Sequence, residues 1–583
     1  EGKRDSLNRD MFLEAEIDEL NDFAVDFFSN LEKAVEQYAR SEGNTFLTSK
    51  TRDAITFLEL LTTEYDIANA NPPYTDSSDF GPELKTFIES NYKKPFKFHT
   101  NLYATFIKRC YEFTEEHGKI AMIHPRTFMF IKTFEDVRKF MLDKTHINVF
   151  VDYSLSNLFG AIMVDPAFYV LEKPVSKSRD AWFVSLDQYT RTPNEKYKKD
   201  FCLQALNDYI AGFKNEHNYS IPQSKLKIIK SWPFIYWISD EFREKFKRDS
   251  VKDLLNNCQG LATANNNRFL RFWWELSQTD NHLNNNNWVY YAKGGPYKKW
   301  SGNLWLMVNW KFNGSEIKSY TDSNGKQKSR PQNEGVYFNE GITYSASGSK
   351  GPSYRLLPEG CIFDVGGSSI FPINKYKNNS YILAFFNTPF SKYVIECLNP
   401  TVNKQVGDVE RVPFVIPSKI CEKDISGLSE INVDITTHIR TYTLFEGVFK
   451  ISPLYENLEI DWRSSISAYF NYENYLLTEV LLNEAIINEK IFEVYDLTEH
   501  DKAMVLAKEG ESIGDLPVSA EAREAYLAEN LTTNHTKSTK EEAKNSNCVP
   551  LVPFVVDYIN SLPVKDFTAD ERRSIESEFT TLY

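Results

Sequence analysis

Between residues 65 and 173 four short apolar runs, YDIANA, IAMIHP, INVFVDYS and AFYVLEK, stand apart from helical repeats such as NLYATFIKRCYEFTEEHGK and FEDVRKFMLDK. This alternation constrains the fold more than any other feature. Runs of strand length separated by helices of ten or more residues form βα units, so the pattern predicts a mostly parallel sheet. Gly118, with Lys119 beyond it, reads as the C-cap of the helix that opens at NLYATF.

The first run ends in an unusual way, as YDIANANPPY. Pro72 and Pro73 lack N–H groups and fix φ, so neither a ladder nor a helix continues through them. At the least this is a strand closed by a stiffened turn. In open α/β sheets, however, ligands bind outside the carboxyl ends of the strands. There Asn71 offers a side-chain carbonyl and Pro72 a backbone carbonyl on a rigid chain. Together they can receive both hydrogens of an amino group, and Tyr74 gives a ring a face to stack on.

Length and charge narrow the setting. A chain of 583 residues is too long for one core and should hold two to four domains. The seven cysteines have no CxxC or regular spacing, which argues against a zinc site or disulfide framework and for a reducing, cytoplasmic setting. No apolar run reaches the roughly 20 residues that span a bilayer. The net charge of −14 would disfavour nucleic acid if it were evenly spread. It is not: residues 421–583 hold 30 Asp and Glu against 14 Lys and Arg, which leaves 53 basic and 51 acidic residues before them. Residues 288–360 carry 10 basic and 5 acidic side chains. DNA binding therefore stays open.

Along the chain, residues 11–40 read as an amphipathic helix and TRDAITFLELL as its helical continuation. KPVSKSRD and TRTPNEKYKK mark 176–230 as a linker or surface excursion. From 231 to 420 the chain is rich in Trp, Tyr, Asn and Gly, with strand-like runs WVYYA, LWLMVNW and VYFNEGITYS. NNNN at 284–287 and TDSNGKQKSR at 321–330 are loops. Residues 421–583 turn acidic and helical, and TTNHTKSTKEEAKNSN reads as flexible. The implied domains are 1–175, 176–230, 231–420 and 421–583.

The Asn-Pro-Pro-Tyr cradle resembles the catalytic motif of adenine-specific, amino-methylating DNA methyltransferases. The helix–strand–Pro order that follows it is similar, and INVFVDYSLSNLFGAIMVDPAFYVLEK resembles that family's last two strands. GLATANNNRFLRFWWEL, GGPYKKWSGNLWLMVNWKFNGSEIK, SYRLLPEGCIFDVGG and LNPTVNKQVGDVERVPF are similar to stretches of the PglX-type enzymes of BREX phage defence. More loosely, they resemble single-chain restriction–modification enzymes. The resemblance covers roughly residues 60–420.

It implies an α/β fold: part of a class I, Rossmann-like methyltransferase sheet, then a mixed α+β target-recognition domain and a helical C-terminal region. It implies transfer of a methyl group from S-adenosylmethionine to adenine N6 of double-stranded DNA with the base flipped out. Asn71, Pro72, Pro73 and Tyr74 would be catalytic, Asn71 would also face the cofactor, and other defence subunits are possible partners. Only Gly2 and Gly43 precede Asn71, so the family's Gly-rich cofactor turn is missing. The chain is thus expected to start partway through its catalytic domain, to bind S-adenosylmethionine weakly or not at all, and to be inactive alone, unless another chain supplies that half.

Within 231–420, Arg268, Arg271, Lys298, Lys299, Lys326, Lys328 and Arg330 could meet phosphates, and Asn267 could read a base edge. Asn266-Asn267-Arg268 is equally a capped turn. Lys298-Lys299 is equally a solvated turn. Trp273, Trp274, Trp305 and Trp310 are expected in the core. Three other readings compete: a DNA-recognition module with an inert catalytic remnant, a methyltransferase acting on glutamine amides of proteins, and a restriction nuclease. The large 231–420 region disfavours the second, and no convincing PD…ExK arrangement supports the third.

Overall fold

In a computed structural model the chain is described from residue 45 to 507, apart from 154–155, 160–161, 175–178, 187–194, 214, 216, 277–286, 349–350, 402 and 457–460, plus a few helical positions between 29 and 38. Most of the predicted 11–40 helix and the whole 532–547 stretch lie outside the described residues. The chain divides into two compact units, one holding residues up to 129 and 133–227, the other 130–132 and 228 onward.

The first unit is built on a six-stranded sheet in the order β1-β2-β6-β3-β7-β8. Its elements are α1 (Thr45–Thr62), β1 (Tyr65–Ala70), α2 (Pro82–Tyr92), α3 (Leu102–Phe113), β2 (Thr114–Pro125), α4 (Glu135–Lys144) and β3 (His146–Asp152). A small hairpin, β4 (Ser156–Phe159) and β5 (Ile162–Val164), precedes β6 (Pro166–Glu172), β7 (Ala181–Ser185), α5 (Glu195–Ile210) and β8 (Asn218–Ile221). In β2 the even positions Gly118, Ile120, Met122 and His124 are buried and the odd ones less so, the period-two pattern of a strand. α3 buries Tyr103, Ala104, Ile107 and Cys110, one helical stripe against the sheet.

Three expectations need correction. The sheet is mixed rather than mostly parallel: β1–β2 and β3–β7 pair parallel, whereas β6 runs against both its neighbours and β8 against β7. No helix separates β3 from β6, so the chain turns back beside β3 instead of crossing over. The 176–230 stretch is not a linker, since β7, α5 and β8 extend the sheet and all four residues of AWFV are buried. Charged flanks masked a short apolar strand.

Nor is Gly118 a helix cap. α3 ends at Phe113, and TEEHGK already belongs to β2, where the pairing with β1 slips between Tyr65 and Ile67. His117 takes a φ of 68° in this bulge. A Cβ on Gly118 would lie 2.4 Å from Thr114 Cγ2 and 2.9 Å from the Asp66 carbonyl oxygen. Only glycine lets the two backbones approach this closely.

The second unit contains two four-stranded sheets. One is β10-β12-β11-β15, from Leu270–Phe272, Leu306–Asn309, Trp288–Ala292 and Ile362–Phe363. The other is β14-β13-β16-β9, from Tyr354–Leu357, Gly341–Tyr344, Ser369–Pro372 and Leu255–Cys258. The main helices are α6 (Asn379–Phe386), α7 (Pro389–Leu398), α8 (Lys419–Arg440), α9 (Trp462–Val494) and α10 (Glu499–Ala507). α6 is apolar on all sides, and Tyr381 through Phe386 are buried without exception, as a helix at the centre of a core must be. One hydrophobic cluster joins residues of β13, β14, α6 and α7 to Ile425, Ile487 and Val505, so the acidic helices share a core with the region before them.

Candidate active site

β1 carries YDIANA to the carboxyl end of the sheet, where the two prolines stop it. Asn71 is exposed, Pro72 buried, Pro73 exposed and Tyr74 half-buried. Pro72 thereby anchors the loop while Asn71 faces outward. The far end is fixed by a bridge between Asp76 and Asn101 and by the Leu102 N–H, which donates to the Thr75 carbonyl at 3.0 Å. Asp76 Oδ1 accepts from the backbone N–H of Ser78 at 3.1 Å, and the buried Asn101 caps α3 by accepting from Tyr103 N at 3.2 Å. Asp76 and Asn101 were missed as site-shaping residues. The Asn before an apolar helical stripe was the available signal for the second.

Within the loop the Tyr74 hydroxyl donates to Asn71 Oδ1 at 2.8 Å. Burial raises the Tyr74 pKa above its ordinary value, so the phenol keeps its proton at neutral pH and remains a donor. Asn71 also lines a cavity of about 470 Å³ on the sheet face, whose walls are otherwise mostly apolar, including Met122, Val151, Phe168 and Trp182. The loop is thus open to a ligand on its Asn71 side. At the same edge of the sheet Arg126, just past β2, pairs with Asp152 at the end of β3 at 3.1 Å, both buried. Behind β2, His124 stacks on Tyr103 with ring centroids 4.5 Å apart and meets the Tyr169 hydroxyl at 2.7 Å. Its burial pushes the imidazole down to about 3, which keeps it neutral.

In the second unit the residues predicted to meet DNA fall into two groups. The Asn265 side chain accepts from Arg268 N at 3.1 Å, so Asn266-Asn267-Arg268 does form a capped helical turn. Asn267 and Arg268 remain exposed on it. Arg268 pairs with Glu316 at 2.8 Å, and its guanidinium lies 5.3 Å from the Tyr320 ring centre; the Lys328 ammonium lies 5.6 Å from the same ring. The Arg330 and Ala262 backbones exchange hydrogen bonds of 2.8 and 3.0 Å, which brings the 321–330 loop beside this turn. Arg271 donates to the carbonyls of Asn267 and Leu270, at 2.8 and 2.7 Å. Among the described residues it has no carboxylate partner. Lys326, Lys328 and Arg330 are exposed nearby.

Lys298 and Lys299 are arranged differently. Lys298 Nζ lies 2.9 Å from Glu446, which is almost wholly buried, and Lys299 Nζ lies 2.8 Å from Glu484 on α9. The turn is tied down rather than freely solvated. Burial raises the Glu446 pKa, but Arg440 and Lys298 outweigh it and hold the carboxyl below its ordinary value. Of the four tryptophans expected in the core, Trp310 is buried, whereas Trp274 is 46% exposed. Trp274 instead stacks on Phe272 at 4.6 Å. LNPTVNKQVGDVERVPF proves to be a buried staple: Asp408 accepts from Asn399 Nδ2 at 2.6 Å, Arg411 Nη2 at 2.7 Å and Gln405 N at 2.9 Å.

Residues 7–159, which include the proline loop, match the Eco57I restriction-modification methylase family. The adenine-specific methyltransferase PglX of Lacticaseibacillus casei (strain Zhang) is 28% identical over 62% of this chain and 30% of that protein. The chain is similar to the PglX-type methyltransferases. The adenine-specific methyltransferase BrxX of Escherichia coli O9:H4 (strain HS) is 26% identical, over 75% of this chain and 34% of its own length. This chain therefore spans about a third of the length of those relatives. The Type IIL restriction-modification enzyme MmeI, solved in complex with DNA, is similar with a TM-score of 0.48 at 10% identity, over 77% of this chain and 57% of that one. The resemblance to the PglX type drawn from the residues is borne out. Among the described residues no helix is long and apolar enough to cross a membrane.

Proposed function

We propose that this chain contributes the acceptor-base site and the target reader of a DNA methyltransferase acting on adenine N6. The observation that carries the reading is the outward-facing Asn71 carboxamide, on a loop anchored by Pro72 and beside both a cavity and the Tyr74 ring. The relatives named adenine-specific methyltransferases support it, as does the family match across this loop.

In this reading Asn71 Oδ1 and the Pro72 carbonyl accept the two N6–H bonds of an adenine turned out of the duplex. The N6 lone pair is delocalised into the ring and is a poor nucleophile. Acceptors on both hydrogens draw the nitrogen toward a pyramidal geometry and accommodate the positive charge that develops on it. Flipping costs a few kcal/mol, part of which stacking on Tyr74 offsets. S-adenosylmethionine, which the family implies, would supply the methyl group. No Gly-rich turn precedes β1 in this sequence, and the residues present fit the acceptor side of the reaction.

The Asn267, Arg268 and Arg271 surface, with Lys326, Lys328 and Arg330, is proposed to face the duplex backbone and base edges. Lys298 and Lys299, whose glutamate partners are 1% and 13% exposed against 46% for the Glu316 beside Arg268, are assigned to holding their loop. A role in BREX-like phage defence accompanies this reading through the PglX and BrxX relatives. The test is methylation profiling of DNA from cells carrying the intact gene, its Asn71→Ala variant, or neither. Loss of one N6-methyladenine motif in the last two samples is expected; an unchanged motif in the variant would refute the assignment.

A further inference from the structure

Just past β12, at the start of the short helix Lys311–Lys318, the backbone turns against the hand that L residues prefer. Phe312, Asn313 and Gly314 take φ of 51°, 55° and 68° in succession. Glycine adopts this conformation freely and asparagine tolerates it, but the Cβ of a phenylalanine crowds the following carbonyl oxygen. Such a residue persists only where its surroundings over-determine it, and such residues gather at functional sites.

The surroundings do over-determine it. Gly314 lies on the ring of the buried Trp310, where an added Cβ would come within 2.6 Å. The Lys311 N–H donates to Asn309 Oδ1 at 3.2 Å, and Asn309 Nδ2 donates to Glu316 Oε2 at 3.0 Å. The other oxygen of Glu316 accepts from Nε and Nη2 of Arg268, at 3.0 and 2.8 Å. One carboxylate thus fastens the left-handed turn to the Asn266-Asn267-Arg268 turn.

What the arrangement holds out is a single ring. Phe312 is 89% exposed. The side chains beside it in the turn, Lys311, Asn313 and Ser315, are polar and exposed, which is not the apolar patch that seats a protein partner. The 326–330 loop packs against the end of the same helix, with Ser329 Oγ donating to the Ile317 carbonyl at 2.5 Å. Lys311, Lys326, Lys328 and Arg330 are exposed on helix and loop and, among the described residues, meet no carboxylate. A lone apolar ring with cations around it fits a duplex, whose phosphates meet the charges and whose stacked bases meet the ring.

We propose that Phe312 is a wedge that enters a base step of duplex DNA, unstacking it and kinking the helix axis there. This rests on the reading of the Asn267, Arg268 and Arg271 surface as the DNA reader. It adds a residue that tests how easily a step opens, so pyrimidine–purine steps are the ones it favours.

Duplexes selected from a randomised pool by the full chain supply the probe, with 2-aminopurine placed in turn at each position of the selected site. One step should brighten on binding. Phe312→Ala should abolish that signal and lower affinity about tenfold, at an unchanged dependence on salt. Phe312→Leu, which keeps an apolar wedge, should retain most of both. Phe312→Gly should behave as the alanine variant toward DNA without lowering the thermal unfolding midpoint, because glycine accepts this φ. Alanine and glycine variants that bind and unstack the duplex as the parent does would overturn the wedge and leave the reader standing. A chain that selects no duplex would refute the reader and the wedge with it. A midpoint lowered in Phe312→Gly would show a ring that serves the fold, and would also overturn the proposal.

Discussion

Tyr74 turns its hydroxyl onto Asn71 Oδ1 at 2.8 Å, so the acceptor proposed for an adenine amino group already holds one hydrogen bond without the base. A carboxamide oxygen has two lone pairs, and the phenol can stay or swing away as the base arrives. Removing the oxygen and removing the ring should therefore separate. In the intact gene product, Asn71→Ala should lower methylation by roughly 10²–10³-fold, the usual loss of one electrostatic contact to a developing charge. Tyr74→Phe, which keeps the ring, should cost only a few-fold. Tyr74→Ala should weaken the extruded base by about 1–3 kcal/mol. Fluorescence of 2-aminopurine at the target position reads the last effect apart from the chemistry.

The β1–β2 bulge makes a stability prediction. Gly118→Ala puts a methyl group against Thr114 and the Asp66 carbonyl, a clash that backbone movement must absorb. The expected loss is about 1–3 kcal/mol. Denaturant unfolding followed by a probe in the first unit should show a lower midpoint at unchanged slope.

Glu172 ties three strands together, accepting from Arg179 at 2.6 Å, from Asn148 of β3 at 2.9 Å and from Lys119 of β2. Desolvation raises its pKa, but the hydrogen bonds of Arg179, Lys119 and Asn148 prevail and bring it from 4.5 to about 2. A carboxyl lowered on folding stabilises the fold above its unfolded pKa, and that contribution fades as pH falls toward the folded value. Glu172→Gln should thus be destabilising at pH 7, progressively less so below pH 4.5, and close to neutral only once the pH has fallen to about 2. Unfolding midpoints of both proteins across that range check it.

Asp408 stands at the centre of the buried staple with Arg411 and Asn399. Asp408→Ala removes the carboxylate from a guanidinium that is 7% exposed, and a broken buried pair costs about 3–5 kcal/mol. Thermal unfolding of the variant should begin well below that of the parent.

Among the described residues Arg271 donates only to backbone carbonyls, which leaves its charge available. Arg271→Glu should weaken duplex binding and flatten its dependence on salt, whereas Lys299→Glu should act first on stability through Glu484. Binding isotherms at two ionic strengths distinguish the two.

The proline loop was legible because its chemistry lies in four consecutive residues. β7 was not, since four consecutive apolar residues near charged flanks have no period to detect. The bulge at Gly118 escaped because a glycine after a helical stripe looks like a cap, and only the Asp66 backbone beside it explains its presence. The partners of Lys298 and Lys299 lie 148 and 185 residues away, a separation no local pattern encodes. For the same reason Asp408 read as part of a family signature and not as the keystone of a buried turn.

One consequence of the sheet order remains. β1 is a border strand, paired with β2 on one flank and, among the described residues, with nothing on the other; Ile67 there is 63% exposed. A ribbon margin with bare amides and a greasy tooth invites a second molecule to zip alongside it. Concentrated preparations of this polypeptide should drift toward dimers and larger clusters, and a lysine at position 67 should keep them dispersed.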